Sequence, residues 1–170
     1  MADVAAASGV SRQTVYNEFR SRQGLAEAYA LRLTDDLVDL VSDAILAHEG
    51  NAKVALAQGF SGFFASAAED PLIQSLLTGQ AKPDLLRLIT TDAGPLITQA
   101  SGRIAGLLQT SWVKADETAA VRIARAIVRM ALSYVSMPPE TDRDVATDLA
   151  EIFGPVVDAA AGGGARSSTS

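Results

Sequence analysis

Within seven residues the chain sets out Ser11, Arg12, Gln13, Thr14 and Asn17, five polar side chains arranged about the apolar Val15. If this stretch is a helix, its N-terminal end presents donors and acceptors suited to base edges and phosphates. An arginine can bond guanine through two parallel hydrogen bonds, and a glutamine can do the same with adenine.

Other groupings offer less. Asp35, Asp36, Asp39 and Asp43 look like a carboxylate cluster. Arg32 stands three and four residues before the first two, so a paired, solvated helix face fits them better than a metal site. His48 is the sole histidine and has no evident serine or cysteine partner. At a helix C-terminus it is well placed against the dipole. The absence of cysteine excludes disulfides and thiolate metal sites. No glycine-rich phosphate loop is present. We therefore expect no enzyme activity, no metal and no cofactor.

The elements that must hold the polar edge are short. Ala2 to Ala7 reads as one helix. Gly9 supplies a residue free to take positive φ at the turn. Ser11 is a good N-cap for a second helix over Arg12 to Phe19. Two such helices about a glycine turn form a helix-turn-helix. Ala5 is the small residue for the helix crossing, and Val4, Val10 and Val15 are the apolar contacts. Ser21 caps a long helix from Arg22 to about His48. A generic helical hairpin remains the competing reading.

The run "DVAAASGVSRQTVYNEF", with Gly9-Val10-Ser11, the Tyr16 and Phe19 pair, and "SRQGLAEA" at the start of the next helix, resembles the TetR family of transcriptional regulators over about 30 residues. The resemblance implies that Arg12, Gln13 and Thr14 read bases. It implies that Ser11, Tyr16 and Asn17 contact phosphates, and that Arg22 meets the DNA backbone from the start of the long helix. Tyr16 and Phe19 can equally serve packing. The family's DNA-binding domain has a further helix before this motif, and the chain as written is expected to lack it. A truncated dimerisation or ligand-binding module without competent DNA binding is the alternative.

The rest of the chain repeats helical periodicity, rich in alanine and leucine. Helices are expected from about Ala52 to Ala68, from Pro71 to near Gly79, from Pro83 to near Asp92 and from about Leu96 to Trp112. Two longer ones follow, from Asp116 to about Met137 and from Thr141 to about Ala160. The expected fold is all-α, an N-terminal helix-turn-helix followed by a helical bundle. Residues 1–48 form the DNA-binding region with its linking helix, 49–161 the ligand-binding and dimerisation domain, and 162–170 a disordered tail. With 48% hydrophobic and 20% charged residues, the chain is globular.

The net charge of −6 argues mildly against nucleic acid, but Val10 to Arg32 holds four arginines against two glutamates. A small basic end on an acidic body is compatible with DNA binding through that end. Phe60, Phe63, Phe64, Leu107, Trp112, Met130 and Tyr134 are candidates to line an effector pocket, with Arg87, Arg103 and Gln109 as polar contacts. Ordinary core is the plainer reading of the aromatics. The resemblance implies that the last two helices pair with those of a second copy, giving a homodimer. Closing the monomer core is their other use. The expected partners are a double-stranded DNA operator and a small, largely apolar effector. No secretory signal or membrane span is evident, so a cytoplasmic repressor is expected.

Overall fold

In the computed structural model, residues 2–78, 87–88, 90–138 and 144–164 are described, and they are helical with short connections. The helices are α1 (Ala2–Ala7), α2 (Arg12–Phe19), α3 (Arg22–Ala47), α4 (Ala52–Glu69), α5 (Pro71–Leu77), α6 (Gly94–Thr110), α7 (Glu117–Ser136) and α8 (Val145–Gly164). The helix expected from Pro83 falls mostly outside the described residues. So do Gly79, Thr141 and residues 165–170.

Side-chain caps decide where most of these helices start. Ser11 Oγ accepts from Thr14 N, Ser21 Oγ from Gly24 N and Asn51 Oδ1 from Val54 N, at 3.0, 3.0 and 3.1 Å. Asp116 Oδ1 accepts from Ala119 N at 2.9 Å, and Asp144 Oδ1 from Thr147 N at 3.0 Å. Each satisfies an amide that the helix leaves unpaired. Three boundaries differ from the sequence expectation. Gly94 and Pro95 are the first residues of α6, ahead of the expected start at Leu96. Proline suits that place, because its missing N–H would have no partner in the first turn. Trp112 lies beyond the end of α6, in a tight turn closed by Lys114 at φ 49°. The last helix runs on to Gly164.

Packing is organised around α4, which lies against both α3 and α8, while α6 packs on α7 and α3. Leu56, Leu108, Val113 and Leu149 are the most deeply enclosed large side chains. The α4–α8 contact is close. A Cβ on Gly154 would stand 3.3 Å from both Cα and Cβ of Lys53. Phe60, Phe64 and Tyr134 form an aromatic chain linking α4 and α7, with ring centroids 6.2 and 6.3 Å apart.

The long α3 has two neighbourhoods. Its first turns carry α2, and its middle and end lie in the bundle against α4 and α6. At 26 residues it is about 39 Å long. Among the described residues no helix is long and apolar enough to cross a membrane.

Candidate nucleic-acid interface and ligand cavity

The α1–α2 pair is built by backbone geometry and one buried seam. Gly9 sits at φ 66°, a conformation that costs a residue with a Cβ about 1–2 kcal/mol. Val10 N donates to Ala5 O at 3.1 Å and closes the turn. Ala5 and Val15 are buried where the helices meet. Val10, expected to join that seam, is instead 44% exposed. The side chain of Val4 lies outside the described part.

This seam leaves one face of α2 free. Ser11, Arg12, Gln13, Thr14, Tyr16 and Asn17 are all exposed, and so is Arg22 at the start of α3. Val15 is the buried residue of α2. Ser11 Oγ, besides capping α2, lies 2.8 Å from Thr14 Oγ1. Those two hydroxyls therefore partly satisfy one another, and Arg12, Gln13 and Asn17 extend beyond them. Tyr16 is 52% exposed, so it stands out from the core. Arg20 closes α2 at φ 57°, its amide donating to Tyr16 O at 2.8 Å, and the chain turns directly into α3.

About midway along α3, the bundle forms a partly open apolar cavity of about 100 Å³. Its walls come from α3 (Leu33, Leu37), α4 (Phe60, Phe63), α5 (Leu72, Ile73), α6 and α7. Thr34 is the one polar side chain among its lining residues, and its hydroxyl donates to Ala30 O at 2.8 Å within α3. The cavity offers no fixed charge and no free donor. A neighbouring groove shares Ile73 and Val135 with it and includes Phe64 and Tyr134.

The candidate pocket residues therefore separate. Phe60 and Phe63 line the cavity; Phe64 and Tyr134 line the groove beside it. The others stand elsewhere. Arg87 pairs with Asp92 at 3.1 Å on the surface. Leu107 and Trp112 pack on a small cluster of Val41, Ile45 and Ala55. The Trp112 indole N–H donates to Ile45 O at 2.7 Å. Met130 is 36% exposed on α7. Gln109 bonds back to Ala105 O within α6.

Arg103 fastens α6 to α3. Its guanidinium donates to Asp35 Oδ1 at 2.8 Å, to Asp35 O at 3.1 Å and to Asp39 Oδ1. Gln99 and Arg103 hold the Asp35 carboxyl below the usual carboxylate range. Two members of the aspartate cluster are thus committed to this clamp, and Asp35 meets Arg103 rather than the expected Arg32. Sequence reasoning favoured aromatics and missed the aliphatic walls, among them Leu72, Ile73, Ile97 and Leu132. The apolar stripes of their helices were the available signal, but they do not separate cavity wall from filled core.

Comparison with known proteins agrees with this layout. Residues 1–29 match the family described as bacterial regulatory proteins, tetR family. Residues 51–155 match the bacterial tetracyclin repressor C-terminal domain. The HTH-type transcriptional regulator AlkX of Mycobacterium tuberculosis (strain ATCC 25618 / H37Rv) is 59% identical over 155 residues, spanning 91% of this chain and 74% of that protein. The crystal structure of the TetR family repressor AlkX from Dietzia sp. strain DQ12-45-1b, implicated in biodegradation of n-alkanes, superposes with a TM-score of 0.86 at 42% identity. That match covers 94% of this chain and 84% of that one. With a helix-turn-helix at one end and a matching C-terminal domain over most of the remainder, the chain belongs to the TetR family of transcriptional regulators, which bind DNA and are not enzymes.

Proposed function

We propose that the chain is a ligand-responsive repressor that acts as a homodimer and releases its operator when an apolar effector enters the bundle. The observation that carries this reading is the double role of α3. Its first turns carry the exposed polar face of α2, and further along it forms one wall of the apolar cavity. An occupant that moves that wall also moves the reading helix. It acts only insofar as it binds the DNA-competent and released states with different affinity.

The cavity's chemistry suits a hydrocarbon. An apolar cavity of about 150 Å³ can stay dry and accept benzene. The present volume is smaller, so a longer chain must push its walls apart. The Dietzia repressor is implicated in biodegradation of n-alkanes, and we extend that ligand class to this chain. Arg12, Gln13 and Thr14 are assigned to base edges, and Ser11, Tyr16, Asn17 and Arg22 to the backbone. Ile152 and Val156 are 59% and 46% exposed on α8, an apolar surface suited to a second copy. A two-fold dimer would set two reading heads on half-sites about 34–36 Å apart or a multiple of that spacing.

The test is operator binding by fluorescence anisotropy at fixed salt. Arg12→Ala should cost about 1–3 kcal/mol and relax base preference at one position. Adding a medium-chain n-alkane should weaken binding by the parent protein. A folded dimer with no preference for any DNA sequence would instead favour a ligand-binding module without an operator. Unchanged affinity and preference in Arg12→Ala would remove that residue from the reading edge.

A further inference from the structure

We infer that the groove between α6 and α7 binds a phosphate monoester with a compact apolar body, its phosphoryl oxygens held by Arg125, Arg129 and the Ser101 hydroxyl. The site is separate from the effector cavity, and its failure leaves the repressor reading untouched.

Helices α6 and α7 are consecutive, joined by a short turn, and pack closely. They therefore run antiparallel, which sets Thr98 and Ser101 of α6 on the stretch facing Arg129 and Arg125 of α7. Between them lies a groove of about 360 Å³ whose lining includes those four residues and no acidic one. Arg125 and Arg129 are exposed, and neither pairs with a carboxylate among the described residues. Among those residues only Ile97 lines both this groove and the effector cavity.

Ser101 points independently to a ligand. It is 8% exposed, and its Oγ has no hydrogen-bond partner. The hydroxyls of Thr34, Ser42, Thr110 and Ser136 all donate to the carbonyl four residues back, the usual outlet for a helical hydroxyl. Ser101 does not take it. A buried polar atom without a partner is uncommon and costly. An oxyanion in the groove supplies the missing acceptor. Gly94, the first residue of α6, lines the same groove, and the N-cap Ala93 makes no side-chain cap. The positive end of that helix also favours an anion.

Donors on two facing helices approach a ligand from different sides. The three free oxygens of a phosphate monoester spread to meet them, whereas a carboxylate presents its two in one plane. Ile97, Ala105 and Val121 add apolar wall, and at Gly94 and Gly102 a Cβ would meet nothing within 4 Å. The groove thus has room and apolar surface for the body that the phosphate esterifies.

Phenyl phosphate is the probe, titrated into the intact protein by isothermal calorimetry at constant ionic strength. The parent should bind it more tightly than inorganic phosphate, and more tightly than benzoate, which offers the same ring on a carboxylate. Arg125→Gln, Arg129→Gln and Ser101→Ala should each weaken binding about tenfold or more. Ser101→Ala removes an unpartnered buried hydroxyl, so its melting temperature without ligand should equal or exceed the parent's. Gly102→Leu fills the groove, keeps every charge and should abolish binding; it serves if an arginine variant does not fold. No binding of phenyl phosphate by the parent overturns the proposal outright. Binding that survives these substitutions overturns the site. Benzoate binding as tightly as phenyl phosphate overturns the phosphate assignment. Displacement of phenyl phosphate by a non-specific DNA duplex gives the arginines to DNA and overturns it as well.

Discussion

The Tyr29 hydroxyl donates a 2.7 Å hydrogen bond to Asp70 Oδ2, joining α3 to the α4–α5 junction across 41 residues of sequence. The other oxygen of the same carboxylate accepts from Leu72 N at 2.8 Å and Ile73 N at 3.1 Å, which starts α5. Leu72 and Ile73 line the cavity. One carboxylate thus connects a cavity wall to the helix that carries the reading head.

Removing the hydroxyl and removing the carboxylate should therefore differ. Tyr29→Phe loses one partly exposed hydrogen bond, a cost of about 0.5–1.5 kcal/mol. Asp70→Ala loses that bond and a helix cap, the cap alone contributing about 0.5–2 kcal/mol. The hydrogen bond to Asp70, then burial, raises the Tyr29 pKa. Its stabilisation is complete below the ordinary tyrosine pKa and is lost as pH rises through the higher folded value. Urea titrations at neutral and strongly alkaline pH should show the parent losing this increment while Tyr29→Phe does not.

The Arg103 clamp predicts the opposite pH behaviour. Asp35 has a lowered pKa, caused by Gln99 first and Arg103 next. Its contribution is present above the ordinary aspartate pKa and fades as pH falls through the lower folded value. Asp35→Asn should remove that part of the acid dependence. Because the pair is over a third exposed, Arg103→Met should cost no more than about 1 kcal/mol at neutral pH. A larger neutral-pH loss would mean the clamp holds more than an exposed ion pair can.

Two glycine substitutions separate propensity from space. Alanine in place of a helical glycine gains about 1 kcal/mol. At Gly102 the new Cβ meets nothing within 4 Å, so Gly102→Ala should be stabilising. At Gly154 the Cβ would press on Lys53 Cα and Cβ at 3.3 Å, beside the buried Ala52. That backbone has little room to retreat, and overpacking costs about 1–3 kcal/mol. Gly154→Ala should thus be destabilising, as melting temperatures for the pair would reveal.

Phe60→Ala should cost about 3–5 kcal/mol, since the ring is 2% exposed and stacks on Phe64. It also removes a cavity wall. If the cavity is the effector site, the variant should take up a bulkier hydrocarbon than the parent, measurable by ligand-induced stabilisation.

The helix-turn-helix was legible because its determinants are local. Gly9, Ser11 and Val15 act within a few residues of themselves, and their spacing survives in one dimension. The cavity was not. It is assembled from aliphatic side chains on several helices, and nothing in Ile73 or Leu132 distinguishes a wall from a filled core. Phe60 and Phe63 stood out by size alone. The chemistry of Arg103 and Trp112 suits a pocket, yet each is committed to a group on α3 more than 60 residues away. Such partners follow from helix packing, which the order of residues does not display.

Trp112 leaves one practical consequence. It is the chain's single tryptophan, and its indole is anchored to the last turns of α3 through Ile45 O. Ultraviolet excitation at the red edge therefore illuminates one place in the molecule, at the end of α3 remote from the DNA head. A displacement of that helix end alters the polarity around the indole and shifts its emission wavelength. The protein carries its own optical gauge, which can follow titration with hydrocarbon or DNA without an added dye.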